Sequence, residues 1–367
     1  MVAKRMHLID ASGIRKVFDL AAKLKNPINL SIGQPDFDVP DGAKEAAIQA
    51  IRDGKNRYTQ TQGIAELRQR IAAMLTDQFG VKEPALLVTS GTSGGLLLAL
   101  LAAVDEGDEV LIGDPYFVMY KHLARLIGAR PVFVDTYPGF RLTAERVRPL
   151  IGDRTRVLIL NSPCNPSGAV LARAEIDALL DLARRHRLLV ITDEIYSAFC
   201  YDGPFASAYG RYDNTLLLNG FSKTYAMTGW RLGYAAGPPE LIQAMTMLQQ
   251  YSFVCAPSMV QWGGVAALDI DMGAQIEEFR RRRDFIYGAL QDDFEVTRPG
   301  GAFYIFPQAP GGGAQEFVAE AIRRNVLIIP GGVFSERDTH FRVTYSADME
   351  TLKRGAEVLT RLAREMA

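Results

Sequence analysis

From residue 85 onward, short apolar runs alternate with stretches of helical periodicity, and this alternation restricts the fold more than any other feature of the sequence. Strands and helices that alternate along a chain are typical of parallel strands joined by crossover helices. The pattern therefore predicts an α/β fold, in which helices cover a mostly parallel sheet. The predicted strands of this sheet are residues 85–89, 109–112, 131–134, 156–160, 188–192 and 215–218.

The pattern changes after about residue 237, where long helical segments lead to short strands and a closing helix. A chain of 367 residues is long enough for a large domain and a smaller one. We expect a large domain over residues 41–274 and a small α+β domain over 275–367, with 1–40 as an N-terminal arm that belongs to the small domain. The other predicted elements are helices at 13–24, 41–53, 64–75, 94–104, 116–127, 173–185, 238–252, 256–268 and 274–291, strands at 303–306, 326–329 and 341–345, and a last helix from Asp348.

Composition and charge exclude several classes of protein. Hydrophobic residues make up 48% of the chain and charged residues 23%, which is typical of an ordinary globular protein. The formal net charge of −1 provides no basic surface for nucleic acid or for an anionic membrane, so neither is an expected partner. The longest apolar run, residues 96–104, is far shorter than the roughly 20 residues that span a bilayer.

The cysteines and histidines indicate a reducing compartment and no metal centre. The three cysteines, Cys164, Cys200 and Cys255, are an odd number without paired spacing, which argues against a disulfide framework. The four histidines are scattered and do not form a metal-binding motif. Because the N-terminal sequence also lacks the apolar core of a signal peptide, we expect a cytoplasmic protein.

Polar residues of the kinds used in binding sites follow four of the predicted strands. They are residues 90–93, residues 161–168, Asp193 and Lys223. In an open parallel sheet, ligands bind outside the carboxyl ends of the strands. The sequence therefore predicts that these four segments meet in one site.

Two of these segments have local sequences that suit ligand binding. SGTSGG, residues 90–95, opens a helix, and small residues there leave backbone N–H groups and the positive end of the helix dipole free for a phosphate. Its glycine spacing differs from the dinucleotide fingerprint, and a plain strand-to-helix turn would look the same. NSPCNPSG, residues 161–168, contains two prolines and a glycine, so it forms a rigid loop that can aim an amide side chain.

Asp193 and Lys223 are the candidates for reactive groups. Asp193 directly follows the apolar run 188–192, where an unpaired charge would be costly. Lys223 is the only lysine between His122 and Leu352, and a lysine with a lowered pKa can form a Schiff base, whereas an arginine cannot. Each residue alone also has an ordinary explanation, since an aspartate can cap a helix and most lysines are exposed.

The segment LLLNGFSKTYAMTGWRLGY, residues 216–234, resembles the lysine motif of fold-type I pyridoxal-phosphate enzymes, in particular that of the class I and II aminotransferases. In that family Ser-x-x-Lys is followed eight residues later by an arginine that holds the cofactor phosphate, and Lys223 and Arg231 have this spacing. The hydroxyl residue of the motif is replaced by Gly220, so its hydrogen bond is either missing or supplied by Ser222. The resemblance extends over residues 12–346, with the motifs in the family's order.

This resemblance implies pyridoxal 5′-phosphate as the cofactor, a seven-stranded sheet like that of aspartate and aromatic aminotransferases, and catalytic roles for three motifs. It implies that Lys223 forms the Schiff base and transfers protons. It implies that Asp193 keeps the pyridine nitrogen protonated, which preserves the ring as an electron sink. Tyr196 and Asn165 would both reach the 3′-oxygen of the cofactor.

The resemblance also implies which residues bind the phosphate, the ring and the substrate. Phe117 would stack on the pyridine ring, with Tyr116 as the alternative. Arg342 would bind the substrate α-carboxylate through its planar fork, while Gly33 and Asn165 would approach the substrate. The implied phosphate ligands are Thr92, Ser93, Ser222 and Arg231 of one subunit and, from the neighbouring subunit of a homodimer with shared active sites, Tyr58.

The predicted function is pyridoxal-phosphate-dependent transamination between an L-amino acid, such as aspartate or an aromatic amino acid, and a 2-oxo acid such as 2-oxoglutarate. Two alternatives use the same residues: a β-eliminating lyase similar to the cystathionine lyases, and a non-catalytic pyridoxal-phosphate-binding module. The sequence does not identify the second cation that aspartate would need. Phe18, Tyr251 and Phe303 could equally line an apolar substrate pocket.

Overall fold

A seven-stranded sheet forms the centre of the structure, a computed structural model that describes residues 1–10, 13 and 24–366. Two smaller sheets, of two and three strands, contain the other strands. Phe18 and most of the predicted helix 13–24 lie outside the described residues. The strands are β1 (Ile28–Asn29), β2 (Leu86–Ser90), β3 (Glu109–Asp114), β4 (Arg130–Asp135), β5 (Thr155–Asn161), β6 (Leu189–Asp193), β7 (Thr215–Gly220), β8 (Leu232–Ala236), β9 (Tyr304–Ile305), β10 (Val326–Leu327), β11 (Ile329–Pro330) and β12 (Phe341–Thr344).

Helices occupy most of the connections between the parallel strands from β2 to β6, as the alternating pattern predicts. No helix among the described residues is both long and apolar enough to cross a membrane. The α-helices are α1 (Asp41–Arg52), α2 (Ala65–Phe79), α3 (Gly91–Ala103), α4 (Val118–Leu126), α5 (Ala144–Val147), α6 (Arg173–His186), α7 (Pro239–Gln250), α8 (Ser258–Ala267), α9 (Gly273–Leu290), α10 (Ala314–Arg323) and α11 (Met349–Met366).

The large sheet has the strand order β2-β8-β7-β6-β5-β3-β4. The four pairs from β4 to β7 are parallel, and β8 runs antiparallel to both of its neighbours. The prediction of a mostly parallel seven-stranded sheet is therefore confirmed. The inner strands are apolar and buried, because helices cover both faces of a parallel sheet.

β8 is the strand of the large sheet that the apolar runs of the sequence did not predict. Its sequence, LGYAA, lacks the β-branched residues that are typical of strands. It lies between β2 and β7, which are far apart in the chain. As a result, Arg231, the residue directly before β8, lies beside the carboxyl end of β2.

The two small sheets connect the N-terminal arm to the C-terminal part of the chain. β1 pairs in parallel with β10, with Ile28 opposite Val326. The predicted strand 326–329 is in fact two strands, because the chain leaves one sheet and enters the other at Ile328. β12 lies between β11 and β9, antiparallel to both. From this pairing we propose that residues 1–40 and 275–367 form the small domain.

Gly220 ends β7 and pairs with Gly233 of β8. A Cβ atom added at Gly220 would lie 2.7 Å from the Cα of Gly233 and 2.9 Å from the carbonyl oxygen of Leu232. Both neighbours are backbone atoms, so a side chain fits only if the two strands separate. The hydroxyl residue expected from the lysine motif is therefore sterically excluded at this position.

We expect Gly220→Ser to lower the free energy of unfolding by about 1–3 kcal/mol, because the new side chain forces β7 and β8 apart. Thermal unfolding followed by circular dichroism measures the change as a lower Tm. Gly229→Ser is a matched control, since a Cβ atom at Gly229 meets no other atom within 4 Å. A Tm for Gly220→Ser equal to that of the control would contradict the steric argument.

Candidate active site

A cavity of about 260 Å³ opens at the carboxyl ends of β5, β6 and β7. Asn161 ends β5, Asp193 ends β6, and Lys223 follows β7. The start of α3, which follows β2, lines the same cavity, so the structure brings all four predicted segments together. The residues that line the cavity are Gly33, Thr92, Ser93, Phe117, Tyr120, Asn161, Asn165, Asp193, Ile195, Tyr196, Ser222, Lys223, Thr228, Arg231, Tyr304 and Arg342.

Lys223 extends into this cavity, where its Nζ donates a hydrogen bond of 2.6 Å to the carbonyl oxygen of Gly33. Burial, followed by the charges of Arg342 and Arg231, lowers the pKa of Lys223 to about 8, while Asp193 opposes the shift. Near neutral pH a useful fraction of this amine is therefore unprotonated. Only the unprotonated amine can attack a carbonyl carbon.

The carboxyl group of Asp193 is buried in the cavity and is held by two donors. The hydroxyl of Tyr120 donates to Oδ2 at 2.7 Å, and the backbone N–H of Ile195 donates to Oδ1 at 3.3 Å. Burial raises the pKa of Asp193, whereas these hydrogen bonds and the charge of Lys223 lower it. The carboxylate is thus oriented and partly stabilised, and a cation that enters the cavity would stabilise it further.

Tyr196 and Asn165 also present polar atoms to the cavity. The hydroxyl oxygen of Tyr196 lies 2.8 Å from the hydroxyl oxygen of Tyr304. The backbone N–H of Asn165 donates to Oδ1 of Asn161 at 2.9 Å, which fixes the loop after β5. The amide oxygen of Asn165 accepts a hydrogen bond of 2.9 Å from Arg342. The rigid loop therefore aims an amide side chain into the cavity, as its prolines predict.

Arg342 lies on β12 and is only 1% exposed. Besides Asn165, its guanidinium donates to the carbonyl oxygen of Ser31 at 2.7 Å. The group lies between the rings of Tyr304 and Phe334, with its central carbon 4.5 Å from each ring centroid. Its Nε has no hydrogen-bond partner among the described residues. Arg342 also lines the cavity, so its guanidinium offers a buried positive charge to an anionic ligand there.

A second cationic region is formed by Arg231 and the N-terminus of α3. This helix begins at Gly91, so the N–H groups of its first turn have no partners within the helix. A Cβ atom at Gly91 would overlap the guanidinium of Arg231, so the missing side chain lets the arginine lie against the helix end. Arg231 has a left-handed φ of 56°, a strained conformation for this residue type. A helix N-terminus beside an arginine suits a phosphate.

Three hydroxyl side chains complete this cationic region. Thr92 and Ser93 belong to the first turn of α3, and Ser222 directly precedes Lys223. All three line the cavity. Because a side chain at Gly220 would meet the backbone of β8, Ser222 and Thr228 are the residues of the lysine motif that bring a hydroxyl group to the cavity.

Of the two aromatic candidates, Phe117 lines the cavity. Its ring is half-buried and meets that of Tyr120 edge to face, with 5.7 Å between the centroids. Tyr116 is buried elsewhere, where its ring stacks on Phe133 and its hydroxyl donates to Glu336 at 2.5 Å. A ring bound in the cavity would therefore meet Phe117 and not Tyr116.

Some of the predicted aromatic residues lie outside the cavity of their own chain. Tyr58 follows α1 and is 85% exposed, and Tyr251 is 88% exposed. Phe303 is fully buried in the core, while its neighbour Tyr304 lines the cavity.

The sequence analysis missed Tyr120 and Tyr304 as site residues. A signal for Tyr120 was available, because it follows Phe117 by about one turn of α4 and so shares its face of the helix. Tyr304 had no local signal, since its contacts with Tyr196 and Arg342 join distant parts of the chain.

The cavity fits the predicted pyridoxal phosphate. Lys223 offers an amine of lowered pKa for the aldehyde, and Asp193 offers a buried carboxylate for the ring nitrogen. Arg231 and the end of α3 form an anion site for the phosphate. Arg342 retains an unpartnered donor for the carboxylate of an amino acid.

Comparison with known proteins gives one consistent family. The sequence profile described as aminotransferase class I and II matches residues 25–359. A probable aspartate aminotransferase of Methanocaldococcus jannaschii is 38% identical, over 98% of this chain and 99% of its own. Aromatic-amino-acid aminotransferase 2 of Thermococcus litoralis is 35% identical, over 99% of this chain and 98% of its own. The solved structure of Thermus thermophilus aspartate aminotransferase with maleate has a TM-score of 0.95 at 34% identity, and 99% of each chain is covered.

We expect the rate at which Lys223 captures pyridoxal phosphate to rise with pH and to level off above about 8, because only the unprotonated amine reacts. Well below that pKa the rise is about tenfold per pH unit. The visible absorbance of the bound cofactor gives the rate, and borohydride reduction followed by mass spectrometry gives the residue.

Lys121→Arg is the matched control for this experiment, because Lys121 pairs with Glu336 at 2.6 Å outside the cavity lining. The control should capture the cofactor normally, whereas Lys223→Arg should not. A label on another lysine, or a rate independent of pH, would count against the assignment.

Proposed function

Since this chain belongs to the class I and II aminotransferase family, we propose that it transfers the amino group of an L-amino acid to a 2-oxo acid in this cavity. The cofactor of the family is pyridoxal phosphate. The names of the relatives support aspartate or an aromatic amino acid as the donor. The acceptor that we propose is a 2-oxo acid such as 2-oxoglutarate. The observation that carries the proposal is the buried guanidinium of Arg342 in the same cavity as the amine of Lys223, whose pKa is lowered.

The residues that hold the substrate act before any proton moves. Arg342 binds the α-carboxylate, since its guanidinium lines the cavity and is fixed between two aromatic rings. Asn165 keeps the guanidinium in place through its amide oxygen. A carboxylate held in this way fixes the orientation of the neighbouring Cα–H bond relative to Lys223.

Two residues of the chain control the protons of the reaction. Pyridoxal phosphate, when bound, supplies a protonated pyridine ring that draws electrons away from the Cα of the amino acid. Asp193 holds the proton on the ring nitrogen, because Tyr120 and the N–H of Ile195 stabilise its ionised form. Lys223 would act as the general base that takes the Cα proton of the amino acid and, once protonated, as the general acid that gives a proton back.

The phosphate end anchors the cofactor. Arg231 and the free N–H groups at the start of α3 provide positive charge, and the hydroxyls of Thr92, Ser93 and Ser222 provide further donors. Phe117, the residue directly before α4, lines the cavity and would lie against the ring. These residues would hold the cofactor in place.

We expect the purified protein with pyridoxal phosphate to form one 2-oxo acid for each amino group it transfers, with aspartate or an aromatic amino acid among the best donors. A panel of amino donors with 2-oxoglutarate measures this, and Lys223→Ala should lose turnover while the fold survives. Release of pyruvate and ammonia would instead identify a β-eliminating lyase. A cofactor spectrum unaffected by every amino acid would identify a non-catalytic binding module.

We also propose an oligomeric state and a cellular location for the protein. The proposed assembly is a homodimer with shared sites, in which Tyr58 binds the cofactor phosphate of the partner. Tyr58 is 85% exposed. The loop that contains Tyr58 is joined to α7, because the side-chain amide of Gln249 donates a hydrogen bond of 2.7 Å to the carbonyl oxygen of Thr61. The exposed Tyr251 directly follows α7. Exposed aromatic side chains grouped in this way are typical of interfaces. The three cysteines are free, which supports a cytoplasmic location.

We expect Lys223→Ala and Tyr58→Ala to complement each other when the two variants are co-expressed. In a mixed dimer with shared sites, one site carries both lesions and the other is intact, so activity rises toward half of wild type. Lys223→Ala with Arg342→Ala is the control, because both residues belong to one chain's site and a mixed dimer then has one lesion in each site. If the first pair is no more active than the control pair, Tyr58 does not serve the partner.

A further inference from the structure

We propose that Tyr304 is a positioning residue, which directs the hydroxyl proton of Tyr196 toward the cofactor and supports the guanidinium of Arg342. The inference rests on the proposed function and deepens it. Tyr304 is 1% exposed and contacts two site residues that come from different parts of the chain. Tyr304 thus links Tyr196, which is expected to bind the 3′-oxygen, with Arg342, which is expected to bind the substrate carboxylate.

The position of Tyr304 follows from the pairing of β9 with β12. Tyr304 lies opposite Thr344, and Arg342 is two residues from Thr344 on the same face of β12. Diagonal neighbours of this kind are close enough for long side chains to touch. The central carbon of the guanidinium accordingly lies 4.5 Å from the centroid of the Tyr304 ring.

The hydroxyls of Tyr304 and Tyr196 share one hydrogen bond of 2.8 Å, in which only one of them can donate. Arg342, permanently charged, lies 4.5 Å from the Tyr304 ring, whereas Lys223 is 5.7 Å from the Tyr196 ring. A cation close to a phenol ring makes its hydroxyl the stronger donor. Tyr304 therefore donates to the oxygen of Tyr196.

This direction leaves the proton of Tyr196 free for another acceptor. Tyr196 lines the cavity together with Lys223 and Asp193, so the available acceptor is the 3′-oxygen of the bound cofactor. A hydroxyl that accepts one hydrogen bond donates a stronger one. Tyr304 thus strengthens the hydrogen bond of Tyr196 through the hydroxyl of that residue.

Gly33 provides the space that this arrangement needs. A Cβ atom at Gly33 would overlap the hydroxyl of Tyr304, so any side chain there would push the tyrosine away from Tyr196. The carbonyl oxygen of Gly33 also accepts from Lys223. The loop after β1 therefore contacts both the reactive amine and the tyrosine pair.

The test is Tyr304→Phe, which removes the hydroxyl and keeps the ring under Arg342. The absorbance of the Lys223-bound cofactor changes with pH around a midpoint, and we expect this midpoint to rise by roughly half a pH unit. The reason is that a weaker hydrogen bond leaves more negative charge on the 3′-oxygen, which holds the neighbouring proton more tightly. Tyr345→Phe is the matched control, since it removes a buried hydroxyl that donates to the backbone carbonyls of Gly301 and Ala302.

A double-mutant cycle separates positioning from a general structural effect. In a Tyr196→Phe background, Tyr304→Phe should leave the midpoint unchanged, because the hydroxyl through which it acts is gone. Tyr304→Leu, which also removes the ring, should weaken the binding of an unreactive carboxylate such as propionate by about fivefold, while Tyr304→Phe should not.

Three results would overturn the inference, and they are distinguishable from one another. If wild type acquires no cofactor absorbance, the proposed function fails and this inference fails with it. If wild type shows the absorbance but Tyr304→Phe leaves its midpoint unchanged, only the role of Tyr304 is wrong. An equal shift in the presence and absence of the Tyr196 hydroxyl would show that Tyr304 acts independently of Tyr196.

Discussion

The chemistry of the cavity depends on the burial of three cations, which the fold brings together out of water. Lys223, Arg231 and Arg342 line it, and Asp193 is the one carboxylate among its described lining residues. Burial and the two neighbouring arginines lower the pKa of the lysine, which gives a reactive amine. The same excess of positive charge attracts a phosphate and a carboxylate. Reactivity and ligand binding therefore have one physical origin.

The fold maintains this unfavourable arrangement by anchoring each charge to a different element. Asp193 and Lys223 are placed by the ends of adjacent parallel strands, and Arg231 is placed by β8 next to the start of α3. Arg342 comes from the three-stranded sheet and is held flat between two rings. Because no charge depends on another for its position, the repulsion does not open the site. Binding of an anion relieves part of this repulsion.

The sequence predicts the site well where the information is local and poorly where it is not. Lys223, Asp193 and the loop at 161–168 could be identified because strand ends and proline-rich loops have short sequence signatures. β8 escaped detection because its strand character depends on two distant partners and not on its own residue types. Tyr304 was not predicted for the same reason, since the pairing of β9 with β12 is what brings it beside Arg342. Steric exclusion at Gly220 likewise required the structure.

The insertion of β8 between β2 and β7 also has a consequence for the order of folding. The anion site joins the turn at Gly91 to Arg231, two points far apart in the chain. Contacts between such distant segments require a long loop to close, which is slow compared with the local pairing of β7 and β8. The anchor for the phosphate therefore requires the pairing of β2 with β8, whereas the lysine does not. A ligand that binds the anion site stabilises the fold in which these two strands are paired.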